Sequence, residues 1–262
     1  MQPQQPSSSS TTASIHSVLG DLVAHYPHSA PIILNEENID YCCGGQRQLL
    51  EAVGNDSEHA QRVIERILKK EQSAIENKQN ETINFLSMSA QDLVDHIIEH
   101  HHKYLRENIP KLSELLLKIY TVHTGKLLQQ HEKVSEETRR SIELLENMYR
   151  LFMKLSTELL IHLVKEEKEI FPTLIRYLEE EKDQTHHTES SRRLVKDFIE
   201  SLLKDHNEAG DAIKELASMR KTLPNYCKTV ELTKKLLLEM EENLYIHVHL
   251  ENNILFKRVQ NM

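Results

Sequence analysis

Apolar residues recur at three- and four-residue spacing along most of this chain, the period of an amphipathic helix. Ile15, Val18, Leu19, Leu22 and Val23 keep that spacing up to Pro27, and Leu49, Leu50, Val53, then Val63, Ile64, Ile67 and Leu68 take it up again. Four longer stretches follow. The first predicts a helix over about residues 90–120, with Ser89 as N-cap, Asp92 three residues on, a kink at Pro110 and an end at His123-Thr124-Gly125. The second covers about 136–180 and bends before Pro172. A polar loop over 181–190 leads to a third helix, about 191–219, that stops before Pro224; a fourth covers about 228–259. Four amphipathic helices with modest connections predict an all-α fold: an antiparallel four-helix bundle over residues 89–262. A small helical domain over 14–70 precedes it, residues 71–88 read as a linker, and the Gln-, Pro-, Ser- and Thr-rich residues 1–13 as a disordered tail.

Composition narrows the class. Six Gly and seven Pro in 262 residues leave little material for the tight turns of a sandwich or barrel. With 41 acidic against 32 basic side chains the net charge is −9, which argues against a nucleic-acid or anionic-membrane partner. No apolar run approaches the roughly 18 residues of a spanning helix, and the opening residues lack a secretory pattern. Three cysteines make no disulfide framework. The expectation is a soluble, cytoplasmic protein. Its 16 histidines need a separate explanation.

Tracing the inward stripes supplies one. The fourth helix reads Leu232, Leu236, Met240, Leu244, His247, Glu251, Leu255, and the second reads Met148, Leu151, Leu155, Leu159, His162, Glu166, Ile170. Each carries a His and, four residues later, a Glu where leucine belongs. The third stripe (Val195, Ile199, Leu202, His206, Ile213) and the first (Val94, Ile98, His102, Leu105, Ile109) carry one His each. Buried carboxylates are costly unless paired or metal-bound. Spacing of i,i+4 sets His and Glu about 5–6 Å apart on one surface, so that a His can serve one cation while its Glu reaches across to bridge two. Four imidazoles and two carboxylates without thiolate suit iron, manganese or zinc. His96, His100, His101 and His249 flank the candidates, and a slip of one or two residues in register would exchange them. His249 has Asn253, not Glu, four residues on.

A second feature lies near the start. Residues 40–46 (DYCCGGQ) place Cys42 and Cys43 side by side ahead of a helical pattern beginning near Arg47. Thiols at a helix start are expected to be reactive, since the helix dipole favours thiolate. Two glycines directly after them point to a special backbone and a close approach. Cys227, after a Pro-Asn-Tyr turn, is expected to be inert.

These segments together resemble the RIC family, hemerythrin-like di-iron proteins for the repair of iron centres. The likeness rests on His102 in HHKYLRENIPKL, His162 and Glu166 in HLVKEEKEIFP, His206 in KDHNEAG, His247 and Glu251 in HVHLENNILF, and DYCCGGQ for the small N-terminal domain. It departs at Lys257, where a proline is usual. The resemblance implies two non-haem iron ions held by those six residues, with Glu166 and Glu251 bridging. It also implies restoration of iron–sulfur clusters damaged by nitric oxide or oxidants, through iron donation, nitric-oxide reduction or both. Thiols at a helix start, as Cys42 and Cys43 are expected to be, would serve such a protein as a thiol relay between bundle and client, since soft sulfur binds these species reversibly. Partners would be damaged iron–sulfur proteins, with nitric oxide or O2 as small ligands. A homodimer is open, because the N-terminal unit could dock on its own bundle or on a dimer mate. The alternative function is a hemerythrin-like module that binds or senses O2 or nitric oxide.

Overall fold

The computed structural model describes residues 13–76, 83–129, 136–182, 187–225 and 227–260. The expected tail, apart from Ala13, the middle of the expected linker (77–82), His131 and His186 lie outside these residues. The chain divides into two compact units, residues 1–84 and 85–262. The named elements among the described residues are all helices, and the only strand-like pairing among those residues is an isolated bridge between Val18 and Gln48.

The first unit contains α1 (Leu19–His25), α2 (Ala30–Glu36), α3 (Leu49–Ala52) and α4 (Ser57–Glu76). Leu19, Leu34, Leu49, Val63 and Ile67 are buried in its core. The apolar residues of helix α2, Ala30 and Ile32 to Leu34, lie too close together to show a period. Its signals are the proline in its first turn and Asn38 beyond its end, at a left-handed φ of 55°. The expected linker is shorter than residues 71–88. Helix α4 runs through Glu76 because Glu71 is buried and accepts a 2.6 Å hydrogen bond from Ser29 of α2. At the other edge, Arg258 donates to the carbonyls of Phe85 and Met88, which ties that segment into the second unit.

The second unit is an antiparallel bundle of four rods. Rod A comprises α5 (Ala90–His96), a π-helical turn (Ile97–His102) and α6 (Lys103–Gln129). Rod B comprises α7 (Glu136–Lys165), a π turn (Glu166–Ile170) and α8 (Phe171–Lys182). Rod C is α9 alone (Glu189–Thr222). Rod D comprises α10 (Lys228–His249), a π turn (Leu250–Leu255) and α11 (Phe256–Gln260). Each rod packs on two neighbours around a square, A on B, B on C, C on D and D on A. Leu105, Leu112, Leu116, Met148, Phe152, Leu155, Ile213, Met240 and Leu244 fill its centre.

Several expectations about boundaries give way. Rod A continues through Pro110 and past His123-Thr124-Gly125 to Gln129, because Ile119 and His123 stay buried and one glycine in a helix costs only about 1 kcal/mol. Its departure from α geometry is the π turn, not the proline. Rod B does change geometry just before Pro172. Helix α9 begins at Glu189, inside the expected loop, since Thr188 Oγ1 accepts the amide of Ser191 at 3.1 Å. Ser89 caps α5 as expected, accepting the amide of Asp92 at 3.0 Å. In the first turns of rod D the buried residues are Val230, Thr233 and Leu237, while Leu232 is exposed. A strict four-residue step gains about 40° per step, so the true stripe alternates threes and fours. In rod A the same drift is absorbed by the π turn, which buries Ile97 rather than Ile98 on the face of His102.

Candidate metal centre

The six expected side chains converge inside the bundle. His102 comes from rod A, His162 and Glu166 from rod B, His206 from rod C, and His247 and Glu251 from rod D. All six are buried, and both carboxylates are completely so. They form two overlapping groups, His102–His247 and His162–His206, each completed by the same Glu166 and Glu251.

Within each group the imidazoles present Nε2 to each other, at 3.0 Å for His102 and His247 and 3.1 Å for His162 and His206. Two nitrogens at right angles on an ion about 2.1 Å away would stand about 3.0 Å apart. Each carboxylate turns one oxygen to each pair. Glu251 Oε1 lies 2.9 Å from His247 Nε2, and its Oε2 lies 3.2 Å from His206 Nε2. Glu166 Oε1 lies 3.0 Å from His162 Nε2, and its Oε2 lies 3.5 Å from His102 Nε2. Neither Glu166 oxygen accepts a hydrogen bond of acceptable geometry, and neither does Glu251 Oε2. Wholly buried carboxylate oxygens without a hydrogen bond are costly, so the donor set fits a pair of cations in its midst.

Charge within the cluster is balanced by mutual pairing. Burial opposes ionisation of Glu251, but the imidazoles of His247, His102 and His206 outweigh it and hold its carboxyl well below the usual range. Glu166 is lowered too, against burial and the Glu251 charge, chiefly by His162. Burial works against protonation of His102, His162 and His206, yet the two carboxylates raise all three. For His247 burial prevails and its basicity falls.

Two further residues were not foreseen from the sequence. Glu167 Oε1 pairs with His102 Nδ1 at 2.7 Å and accepts from Arg106 at the same distance. Asn252 Oδ1 accepts from His206 Nδ1 at 2.7 Å. Each stands directly after a cluster carboxylate, at the start of a π turn that brings two successive side chains to the site. A proton held on Nδ1 leaves the Nε2 lone pair facing the cluster. The available signal was a polar residue following each Glu, with Asn252 inside an otherwise apolar run. Of the flanking histidines, His101 is buried and stacks on His247 at 5.6 Å, and burial drives its pKa down to about 3. His249 Nδ1 faces Asn253, and His96 and His100 stack on each other at the surface side of rod A.

The vicinal cysteines differ from expectation. The helix after them, α3, starts only at Leu49 and has four residues, so no helix dipole acts on either thiol. A hydrogen bond to Cys43, together with burial and the nearby Asp40, pushes the Cys42 thiol well above its ordinary value, so thiolate is disfavoured. The expected close approach at the glycines does occur at Gly44, where a Cβ would meet the Asp40 carbonyl. Cys227 stands outside the cluster, with its sulfur 3.4 Å from His123 Nε2.

Comparison with known proteins agrees with this architecture. Residues 15–71 match the model of a domain of unknown function (DUF542), and residues 93–259 match the hemerythrin HHE cation-binding domain. The chain is 30% identical over 246 residues to the iron–sulfur cluster repair protein ScdA of Staphylococcus epidermidis, spanning 92% of this chain and 97% of that protein. It is 26% identical over 246 residues to a probable iron–sulfur cluster repair protein of Haemophilus influenzae, spanning 93% and 96%. With the iron–sulfur cluster repair protein YtfE of Salmonella typhimurium it shares 24% over 243 residues, 92% and 94% of the two chains. No helix among the described residues is long and apolar enough to cross a membrane. The six converging side chains lie inside the matched HHE segment, and the chain belongs to the hemerythrin HHE cation-binding family.

Proposed function

We propose that this protein holds two non-haem iron ions and uses them to restore iron–sulfur clusters damaged by nitric oxide or oxidants. The observation that carries this reading is the sharing of Glu166 and Glu251. Each turns one oxygen to His102–His247 and the other to His162–His206, as bridging carboxylates would. The likeness over nearly the full length to proteins named for iron–sulfur cluster repair supports the biological role.

In this reading His102 and His247 would hold one ion, His162 and His206 the other, and both carboxylates would serve the pair. Four protein donors per ion would leave positions open, and the iron would supply ligand exchange and one-electron chemistry with nitric oxide or O2. Glu167 and Asn252 keep two of the imidazoles in the metal-facing tautomer. Complete burial of both carboxylates excludes water and strengthens their hold on the ions. Cys42 and Cys43 act as a thiol relay towards the damaged client. A cytoplasmic location and a homodimer are part of the proposal.

The test pairs two measurements on the full chain. Iron per chain should approach two, and the loaded protein should restore activity to a nitric-oxide-inactivated iron–sulfur enzyme. His162→Ala/His247→Ala should lose both properties. Iron content unchanged in that double variant would refute the ligand assignment, and two irons without repair would favour the gas-binding alternative.

A further inference from the structure

A second cluster of metal-ligating groups lies in the first unit, remote in sequence from the bundle centre. Adjacent side chains normally diverge, to opposite faces of a strand or about 100° apart on a helix. Cys42 Sγ and Cys43 Sγ nevertheless stand 3.8 Å apart, and Asp40 Oδ1 lies 3.3 Å from Cys42 Sγ. The convergence has a local cause. Asp40 Oδ1 accepts the amides of Cys42, Cys43 and Gly44 at 3.2, 3.0 and 3.2 Å, which winds the chain around one carboxylate oxygen. At Gly44 a Cβ would sit 2.7 Å from both the Asp40 carbonyl and the Arg47 guanidinium, so only glycine closes the turn this tightly.

A thiol-to-thiol hydrogen bond alone would account for the 3.8 Å separation. It would not require a third donor. Asp40, Cys42 and Cys43 each place a ligand atom within 4.8 Å of the other two. A tetrahedral ion with metal–sulfur bonds of about 2.3 Å needs its sulfurs about 3.8 Å apart, and a carboxylate oxygen at about 2.0 Å falls about 3.5 Å from each sulfur. The turn presents the sulfur–sulfur spacing at 3.8 Å and one oxygen–sulfur spacing at 3.3 Å. Cys42 is buried whereas Cys43 and Asp40 are half-buried, so the cluster has an inner wall and an outer opening.

We propose that Asp40, Cys42 and Cys43 form a mononuclear site for a soft or borderline divalent ion such as Zn²⁺ or Fe²⁺, with one position open. Thiolate ligation selects such ions over calcium and magnesium. Loading converts two S–H bonds into two metal–sulfur bonds and releases two protons, with no change of oxidation state. The local environment favours neutral thiols without the ion, so loading weakens as pH falls. The site does not depend on the repair reading; it would give the relay thiols a resident ion with an exchangeable fourth ligand.

The experiment uses the full chain with its bundle centre iron-filled and its thiols reduced, titrated with Co²⁺ without air. A near-ultraviolet thiolate-to-cobalt absorption should saturate at one equivalent, accompanied by release of two protons. It should vanish in Cys42→Ser/Cys43→Ser and persist in Cys227→Ser. Asp40→Asn keeps the amide-accepting oxygen but removes the charge, and should weaken binding about tenfold or more. If the double variant loses helical circular dichroism, Cys43→Ser alone should halve the absorption. No thiolate absorption in the wild type, or its survival in the double variant, overturns the site. Iron content reports on the bundle centre separately.

Discussion

The bundle centre and the cysteine turn are built by opposite means. The centre gathers six side chains from four rods, spread from His102 to Glu251, and their positions depend on every rod keeping its register. The turn gathers three from four consecutive residues, pinned by one carboxylate oxygen and one glycine. The centre is therefore as stable as the packing around it, and that packing resists distortion by small surface changes. The spacing of the turn's ligand atoms is set locally, so any local change acts on it directly. Mutations should separate the two accordingly.

The largest effect is expected at the shared carboxylates. Glu251→Ala removes a carboxylate shared by both histidine pairs and should lower iron content more than tenfold, as measured by elemental analysis. It also leaves imidazoles raised by that carboxylate without their counter-charge, a loss of roughly 3–5 kcal/mol for a broken buried pair. Glu166→Ala should behave alike, while Glu169→Ala, exposed on the same π turn, should keep its iron. Iron retained in Glu251→Ala would mean the carboxylates do not bridge.

A smaller effect is expected one shell outward. Glu167→Gln keeps the shape of the contact to His102 but not its charge, and should cost about 10–100-fold in iron affinity, read by competition with a chelator. Burial alone would raise the Glu167 carboxyl, yet its hydrogen bonds to His102 and Arg106 lower it. A lowered carboxyl gives support that is complete above its ordinary value of 4.5 and is lost as pH falls through the lower folded value. Wild type should therefore keep this support across the neutral range, whereas the Gln variant lacks it at every pH. Asn252→Asp places a charge at the corresponding position on His206 and should tighten iron instead.

At the cysteine turn, Gly44→Ala forces a Cβ to within 2.7 Å of backbone and guanidinium. Overpacking of this kind costs about 1–3 kcal/mol. Thermal unfolding followed on the full chain should show the loss, with iron content at the wild-type level. Iron lost along with stability would mean that the turn and the centre are not separable.

How far each site was legible follows from the same contrast. Helical period places His162 and Glu166, or His247 and Glu251, on one face whatever lies between the rods, so the six cluster residues could be named from spacing and resemblance. Spacing cannot show a π turn, which leaves the hydrophobic pattern almost intact while adding one residue to the face. That is why Ile97 displaced Ile98, and why Glu167, which a regular helix would turn about 100° away from Glu166, instead reaches His102. Nor does a sequence period describe an irregular turn. DYCCGGQ signals an unusual backbone at Gly44, but the thiol shift runs opposite to the expectation because it depends on the hydrogen bond with Cys43, on burial and on Asp40, not on a helix.

The smallest expected effect tests whether a rod end can weaken without disturbing the centre. Ser89 Oγ accepts the amide of Asp92 at 3.0 Å and donates to the Asp92 carboxylate at 2.6 Å, closing the first turn of α5. The next turns run into the π segment that carries His102. Ser89→Ala should cost about 1 kcal/mol, seen as a lower denaturant midpoint at constant slope. Ser89→Asp, which can accept the same amide, should recover most of it. Iron content and the affinity measured by chelator competition should remain those of the wild type. Leu93, Val94 and Ile97 are buried between the cap and His102 and hold the register by packing, not by the cap. Iron loss in Ser89→Ala would show instead that the π turn needs a fixed helix start, and that rod A is the one rod whose end geometry governs the centre.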